Sequence, residues 1–111
     1  MATINISPQA LEDLQDIRRH ITDELCNPTA AKRIVAKITK AIRRLKRFPG
    51  SGSPLASHAV IQTDYRFLVC GNYLTFYRYN GATVIVVRVL HGKRDYLSVL
   101  FCDLPQDDYI P

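Results

Sequence analysis

The sequence predicts an α+β domain of order β-α-α-β-β-β, a helical hairpin packed on a small antiparallel sheet. Three observations predict it. Apolar residues recur every three or four positions through residues 8–47. From Tyr65 onward the period drops to two, or to continuous β-branched and aromatic runs. Gly and Asn interrupt those runs where hairpin turns are needed. A two-helix layer on one sheet face buries both apolar helix stripes at once.

Thr3-Ile4-Asn5-Ile6 reads as a first strand. Ser7-Pro8 follows as a helix start, Ser at the N-cap and Pro at the first helical position. Glu12, Asp13 and Asp16 come next, near the positive end of the helix dipole, where acids are favoured. Leu11, Leu14, Ile17, Ile21 and Leu25 form the apolar face. Asn27-Pro28 repeats the start signal. The second helix carries Ala31, Ile34, Val35, Ile38, Ala41, Ile42 and Leu45 on one arc, and Phe48-Pro49-Gly50 stops it. Residues 49–58 have loop composition. Three strands follow at Tyr65–Cys70, Tyr73–Tyr79 and Thr83–Leu90. Gly71-Asn72 separates the first two, and Asn80-Gly81, a pair that favours two-residue turns with both φ positive, separates the last two. Val84–Val87 is nearly all apolar, which predicts a strand covered on both faces. Residues 1–102 are expected to form the domain, and 103–111 an acidic tail.

With 111 residues and 47% apolar content, the chain has the size and composition of one folded domain. No uncharged apolar stretch approaches the roughly 20 residues that span a bilayer, so no membrane partner is expected. Met1-Ala2-Thr3-Ile4 is strand-like, not a basic and then apolar leader. Cys26, Cys70 and Cys102 are odd in number and far apart, which points to reduced thiols in the cytoplasm. His20, His58 and His91 are widely separated and suggest no metal site, and no cofactor-binding motif occurs.

The net charge of +5 conceals strong segregation. Residues 1–30 carry −3 and residues 101–111 another −3, whereas residues 31–100 hold thirteen basic side chains against Asp64 and Asp95, a net of +11. Such a field captures polyanions or an acidic protein. On the second helix Arg33, Lys37, Lys40, Arg44 and Arg47 fall in one arc nearly opposite the apolar one. Like charges at i,i+4 repel by a few tenths of a kcal/mol per pair, so the stripe reads as a binding surface for DNA, RNA or an acidic protein segment.

The other concentration of polar chemistry is His91-Gly92-Lys93-Arg94-Asp95-Tyr96, at the exit of the last strand. Arg66 and Arg78 lie on neighbouring strands, and Arg88 sits among valines, where it must snorkel or find a partner. Metal-independent RNA cleavage needs a base for the 2′-hydroxyl, cations for the developing phosphorane charge and an acid for the leaving oxygen. Arg66 and Arg94 are candidates for the charge, and His91 or Tyr96 for the proton transfers. The same residues also admit structural roles, His91 capping a strand end and Arg94 pairing with Asp95.

Across roughly residues 3–101 the chain resembles the RelE/ParE superfamily of type II toxin–antitoxin toxins. The matching pieces are Ser7-Pro8-Gln9-Ala10 with Asp13-Leu14, the Phe48-Pro49-Gly50-Ser51-Gly52-Ser53-Pro54 loop, Tyr65-Arg66, Phe76-Tyr77-Arg78, and the run from Val87 through Tyr96. The loop and the last run look like the ParE branch. The resemblance implies the same β-α-α-β-β-β fold and a cognate antitoxin whose C-terminal segment wraps the toxin in a hetero-oligomer. It also implies one of two activities: ParE-like inhibition of DNA gyrase, which is favoured, or RelE-like cleavage of mRNA on the ribosome. For the latter, Arg66 matches a Tyr-Arg pair, Arg94 a following arginine and Tyr96 a C-terminal aromatic. The family's basic or carboxylate residues before that pair have no counterpart in Val60-Ile61-Gln62-Thr63, and His58 is the nearest polar side chain. The expected binding set is Arg33, Lys37, Lys40, Arg44, Arg47, Arg78, Arg88 and Lys93.

Overall fold

Ser7 and Asn27 each stand immediately before a proline, and each starts a helix. Ser7 Oγ accepts from the Ala10 N–H at 3.0 Å, and Asn27 Oδ1 accepts from the Ala30 N–H at 3.1 Å. Both prolines occupy the first turn, where a helix needs no N–H donor. The computed structural model describes residues 2–57 and 63–101. Its elements are β1 (Thr3–Ile6), α1 (Pro8–Arg19), a π-helical turn (His20–Glu24), α2 (Pro28–Arg44), β2 (Ser53–Pro54), a 3-10 turn (Leu55–Ser57), β3 (Arg66–Cys70), β4 (Tyr73–Tyr79), β5 (Thr83–His91) and α3 (Tyr96–Leu100). His58, Val60–Gln62, Cys102 and the acidic tail lie outside the described residues.

The α+β architecture is the expected one, with a mixed sheet of order β1-β5-β4-β3-β2. β2 to β5 run antiparallel in sequence, whereas β1 lies parallel to β5, with Thr3 opposite Thr83 and Ile6 opposite Val86. At Gly71-Asn72 only the glycine has positive φ (59°), the pattern of a type II′ turn. Asn80-Gly81 departs from the expected two-residue turn. The connection has three residues, Gly81 alone takes positive φ (95°), and Asn80 Oδ1 accepts from the N–H groups of Ala82 and Thr83. The asparagine side chain thus replaces a backbone turn acceptor.

The hairpin of α1 and α2 covers one sheet face, where Ile17, Ile21, Ile38, Ile42 and Leu45 pack with Tyr73, Tyr77, Val84, Val86 and Val89. α2 buries its apolar arc as expected. α1 departs at both ends: Leu11 is 48% and Leu25 62% exposed. Ala10 and Asp13 turn inward beside Ile17 instead. The π turn adds a residue to the helical repeat, with Leu25 N–H donating to the His20 carbonyl five residues back, and so rotates Leu25 off the stripe.

The second sheet face carries its own apolar cluster of Leu55, Phe76 and Leu90, roofed by Tyr96, Leu97 and Leu100 of α3 and by Phe101. The expectation that Val84–Val87 is covered on both faces holds only in part. Ile85 is 38% exposed between buried Val84 and Val86, because α3 covers only the later half of β5.

β1 ends at Ile6 while β5 continues to His91, and α1 side chains serve the edge beyond β1. The Ser7 N–H donates to the Val86 carbonyl, and Ser7 Oγ donates to the Val87 carbonyl at 2.8 Å. The Val89 N–H donates to Asp13 Oδ2 at 3.0 Å. Arg88 adds a bidentate pair to the same carboxylate, Nε to Oδ2 at 2.7 Å and Nη2 to Oδ1 at 2.9 Å. A β-bulge lies here: Phe76 faces Arg88 and Tyr77 faces Val86, leaving Val87 between. This corrects two expectations. Asp13 does more than complement the helix dipole; it is buried at 7% exposure and holds the sheet edge. Arg88 is 18% exposed and clamps α1 to β5, so it is a structural residue more than a surface contact.

Removing one partner of such a buried pair leaves a charge without compensation, which costs about 3–5 kcal/mol. Asp13→Asn is therefore expected to lower unfolding stability by about that much in urea titration. The double variant Asp13→Leu/Arg88→Met is expected to recover only part of the loss, because it removes both buried charges but leaves the Val89 N–H without its acceptor.

Candidate partner-binding surface

The Pro49–Gly52 loop is pinned by two side chains of the sheet. Tyr77 is fully buried, its hydroxyl donating to the Pro49 carbonyl at 2.8 Å and accepting from the Gly52 N–H at 2.9 Å. Arg66 Nη1 donates to the Gly52 carbonyl at 2.8 Å and to the Gly50 carbonyl at 3.4 Å. A Cβ on Gly52 would stand 2.6 Å from the Tyr77 hydroxyl and 2.8 Å from the Phe67 carbonyl oxygen. The second contact is backbone and cannot swing aside, so this position requires glycine. Burial pushes the Tyr77 phenol above its ordinary value of 10.0, against the opposing pull of the Gly52 hydrogen bond and the Arg66 charge.

The pinned loop holds Phe48 and Ser51 beside β3. Between α2 and β3 it leaves a groove of about 490 Å³, lined by Ala41, Arg44, Phe48, Ser51, Leu68 and Val69. Phe48 is 62% and Val69 65% exposed, the two most exposed large apolar side chains beside Leu25 among the described residues. β2 pairs with β3 only at Arg66 and Phe67, so the outer edge of β3 from Leu68 to Cys70 has no strand beside it among the described residues. Burial raises the Cys70 thiol pKa, and the Lys37 charge partly offsets this. The sequence leads us to expect an apolar groove beside the helices for the antitoxin to cover, but not the residues that line it. Phe48 reads as a helix stop and Val69 as an ordinary strand residue, and only tertiary structure shows that nothing covers them.

The basic arc of α2 is where periodicity placed it: Arg33, Lys37, Lys40, Arg44 and Arg47 are all exposed. The strand candidates are deployed differently. Arg78 makes a bidentate pair with Asp64, Nε to Oδ1 and Nη2 to Oδ2 both at 3.0 Å, with its guanidinium over the Tyr65 ring. Lys93 is exposed, and its backbone N–H donates to His91 Nδ1 at 3.1 Å. His91 stands edge-on to Tyr73, with ring centroids 5.3 Å apart. With Arg94 it borders a groove of about 300 Å³ that Asp16, His20 and Tyr73 share. Asp95 pairs with Ser98 through its Oδ2, and no ion pair joins it to Arg94 among the described residues.

The four residues proposed for RNA cleavage do not converge. Arg66 faces Tyr77 across one side of β4, and His91 faces Tyr73 across the other. Four residues of strand and two strand spacings separate their Cα atoms by about 16 Å. Arg66 is committed to the Gly50 and Gly52 carbonyls. Tyr96 packs its ring on Phe76 on the second sheet face, 5.3 Å between centroids. Among the described residues no group of three His, Cys, Asp or Glu side chains is placed to hold a metal ion, and no helix is long and apolar enough to cross a membrane.

A helical hairpin on a mixed five-stranded sheet is the architecture of RelE/ParE-like proteins. The model of the ParE toxin family of the type II toxin–antitoxin system parDE matches residues 4–96, and the chain belongs to that family. It is a toxin of a type II toxin–antitoxin module. Among solved structures it is similar to a chain of the chromosomal ParDE TA system from P. aeruginosa, at 21% identity and TM-score 0.68, covering 82% of this chain and 96% of that one. It is also similar to a chain of the toxin–antitoxin complex RelBE2 from Mycobacterium tuberculosis, at 22% identity and TM-score 0.58, covering 81% and 96%. At these identities the likeness speaks for the fold. No individually curated protein matches the chain.

Tyr77→Phe leaves the buried Gly52 N–H without its acceptor and is expected to cost about 1–3 kcal/mol at neutral pH. The pH dependence has a definite sign. The folded-state pKa is raised, so this group's stabilisation is complete below pH 10 and lost as pH rises through the folded value. Denaturant titration from pH 8 to 11.5 is expected to show a shallower alkaline loss in Tyr77→Phe than in the wild type.

Proposed function

We propose that this toxin acts by binding, as a ParE-like inhibitor of DNA gyrase, and that a cognate antitoxin neutralises it. The observation that carries the reading is the dispersal of Arg66, His91, Arg94 and Tyr96. Phosphodiester cleavage by side chains alone needs base, acid and cation within reach of one phosphate. Here Arg66 organises a loop, Tyr96 belongs to an apolar cluster, and His91 and Arg94 stand at the far end of the sheet. The family match favours the same branch. A purified supercoiling assay is expected to show gyrase inhibition by the wild-type toxin, while transcripts in a translation extract stay intact. Unchanged supercoiling at saturating toxin, or transcripts cut in an Arg94-dependent way, would overturn the proposal.

On this reading the antitoxin segment lies in the groove between α2 and β3. An incoming strand can pair with the open edge of β3, and apolar anchors can cover Phe48 and Val69. Acidic residues on that segment would meet Arg44 and the +11 central region. Phe48→Ala and Val69→Lys are each expected to weaken antitoxin binding about 10- to 100-fold, as central apolar anchors do. Calorimetry with the product of the adjacent gene measures this. Added salt is expected to slow association more than it hastens dissociation.

A further inference from the structure

The outer face of α2 meets the apolar groove at Arg44 and has a different chemistry. Residues 28–63 hold eight Lys and Arg side chains and no Asp or Glu. All eight are exposed: Lys32, Arg33, Lys37, Lys40, Arg43, Arg44, Lys46 and Arg47. None of them takes part in an ion pair among the described residues. On α1, by contrast, Arg19 pairs with Asp16 one turn away at 3.1 Å. Arg33 and Lys37 stand at i,i+4, as do Lys40 and Arg44, so the helix carries repulsion that a single acidic residue per turn would relieve. Arg43 and Arg44 gain from the negative C-terminal end of the helix dipole. Arg33 and Lys37 lie too far from that end to gain from it.

The identity of the exposed residues narrows the ligand. Between the cations α2 exposes only Pro28, Thr29 and Ala36. No large apolar side chain offers the anchor that a protein partner needs at the centre of its footprint. A phosphate backbone needs no such anchor, because cations and released counterions supply its affinity. The shape narrows it further. A helix about 10–12 Å across fits the major groove of B-form DNA, about 12 Å wide, whereas the major groove of duplex RNA is deep and narrow. Arg33 to Arg44 spans about 16 Å along the helix axis. Lys32 and Arg43 lie about 80–100° round from Arg33, off the Arg33–Arg44 line.

We propose that the outer face of α2 binds the phosphate backbone of double-stranded DNA without sequence preference, through Arg33, Lys37, Lys40 and Arg44. This goes beyond the antitoxin groove and the gyrase reading. It places the toxin on the polymer itself, and it requires neither protein to be present.

Fluorescence anisotropy of the whole toxin with a labelled 30-base-pair duplex of arbitrary sequence tests it. Micromolar binding is expected at 50 mM salt, with log K falling against log salt at a slope of about −3.6 for four phosphate contacts. In Arg33→Gln/Lys37→Gln/Lys40→Gln the slope is expected to shrink to about −0.9 and the affinity to drop at least 30-fold at 100 mM salt. Its melting temperature is expected to equal or exceed that of the wild type, since glutamine keeps helix propensity and removes the repulsion. A duplex bound equally well by the triple variant, no duplex binding at 50 mM salt, tighter binding of duplex RNA, or binding of an acidic peptide in preference to DNA would each overturn it. Gyrase is absent from the assay, so a failed supercoiling experiment and a failed anisotropy experiment are distinguishable.

Discussion

The carboxylate of Asp13 is the point on which the arrangement of this toxin turns. β5 is longer than β1, and its last residues would present unpaired backbone groups at a sheet edge. Asp13 receives the Val89 N–H and both donors of the Arg88 fork, so one helix side chain closes the edge and neutralises a charge that the strand carries inward. Ser7 extends the seal by one further carbonyl while also capping the helix that holds Asp13. With α1 fixed to β5, the inner stripes of both helices meet one face of the sheet, and the basic face of α2 is left outward.

The C-terminal end and the outer face of α2 then present different chemistry. Its C-terminal end runs into Phe48 and the loop that Tyr77 and Arg66 tie down, and this sets the apolar groove against β3. Its outer face holds only cations and small residues. Apolar anchoring and charge are therefore adjacent but separable, and Arg44 belongs to both surfaces.

Much of the fold was legible because it rests on local rules. Ser7-Pro8 and Asn27-Pro28 cap helices by side-chain geometry that needs no tertiary partner, and β4 spans Tyr73–Tyr79 as its composition indicated. What escaped depends on distant residues. The role of Asp13 needs Arg88, seventy-five positions away, and in the sequence it is one acid among several on an amphipathic helix. α3 is five residues long and is held by Phe76 and Leu90, so its stability is a property of the sheet beneath it. The π turn leaves no periodic trace except the outward Leu25. In the candidate site the cationic arc was readable from helical spacing, whereas the residues that line the groove were not. Nothing local distinguishes an uncovered Val69 from a covered one, or an Arg66 that ties down a loop from one that meets a phosphate.

The parallel pairing of β1 with β5 has a consequence for the order in which a cell acquires this molecule. Thr3 to Ile6 find their neighbours at Thr83 to Val86, so the first strand to be synthesised waits for the last before it is seated. The nascent chain can form its helices early, but the surface that β5 organises exists only once residues 83–91 have been made. A toxin wired in this way has no finished partner surface while only its helices have been made.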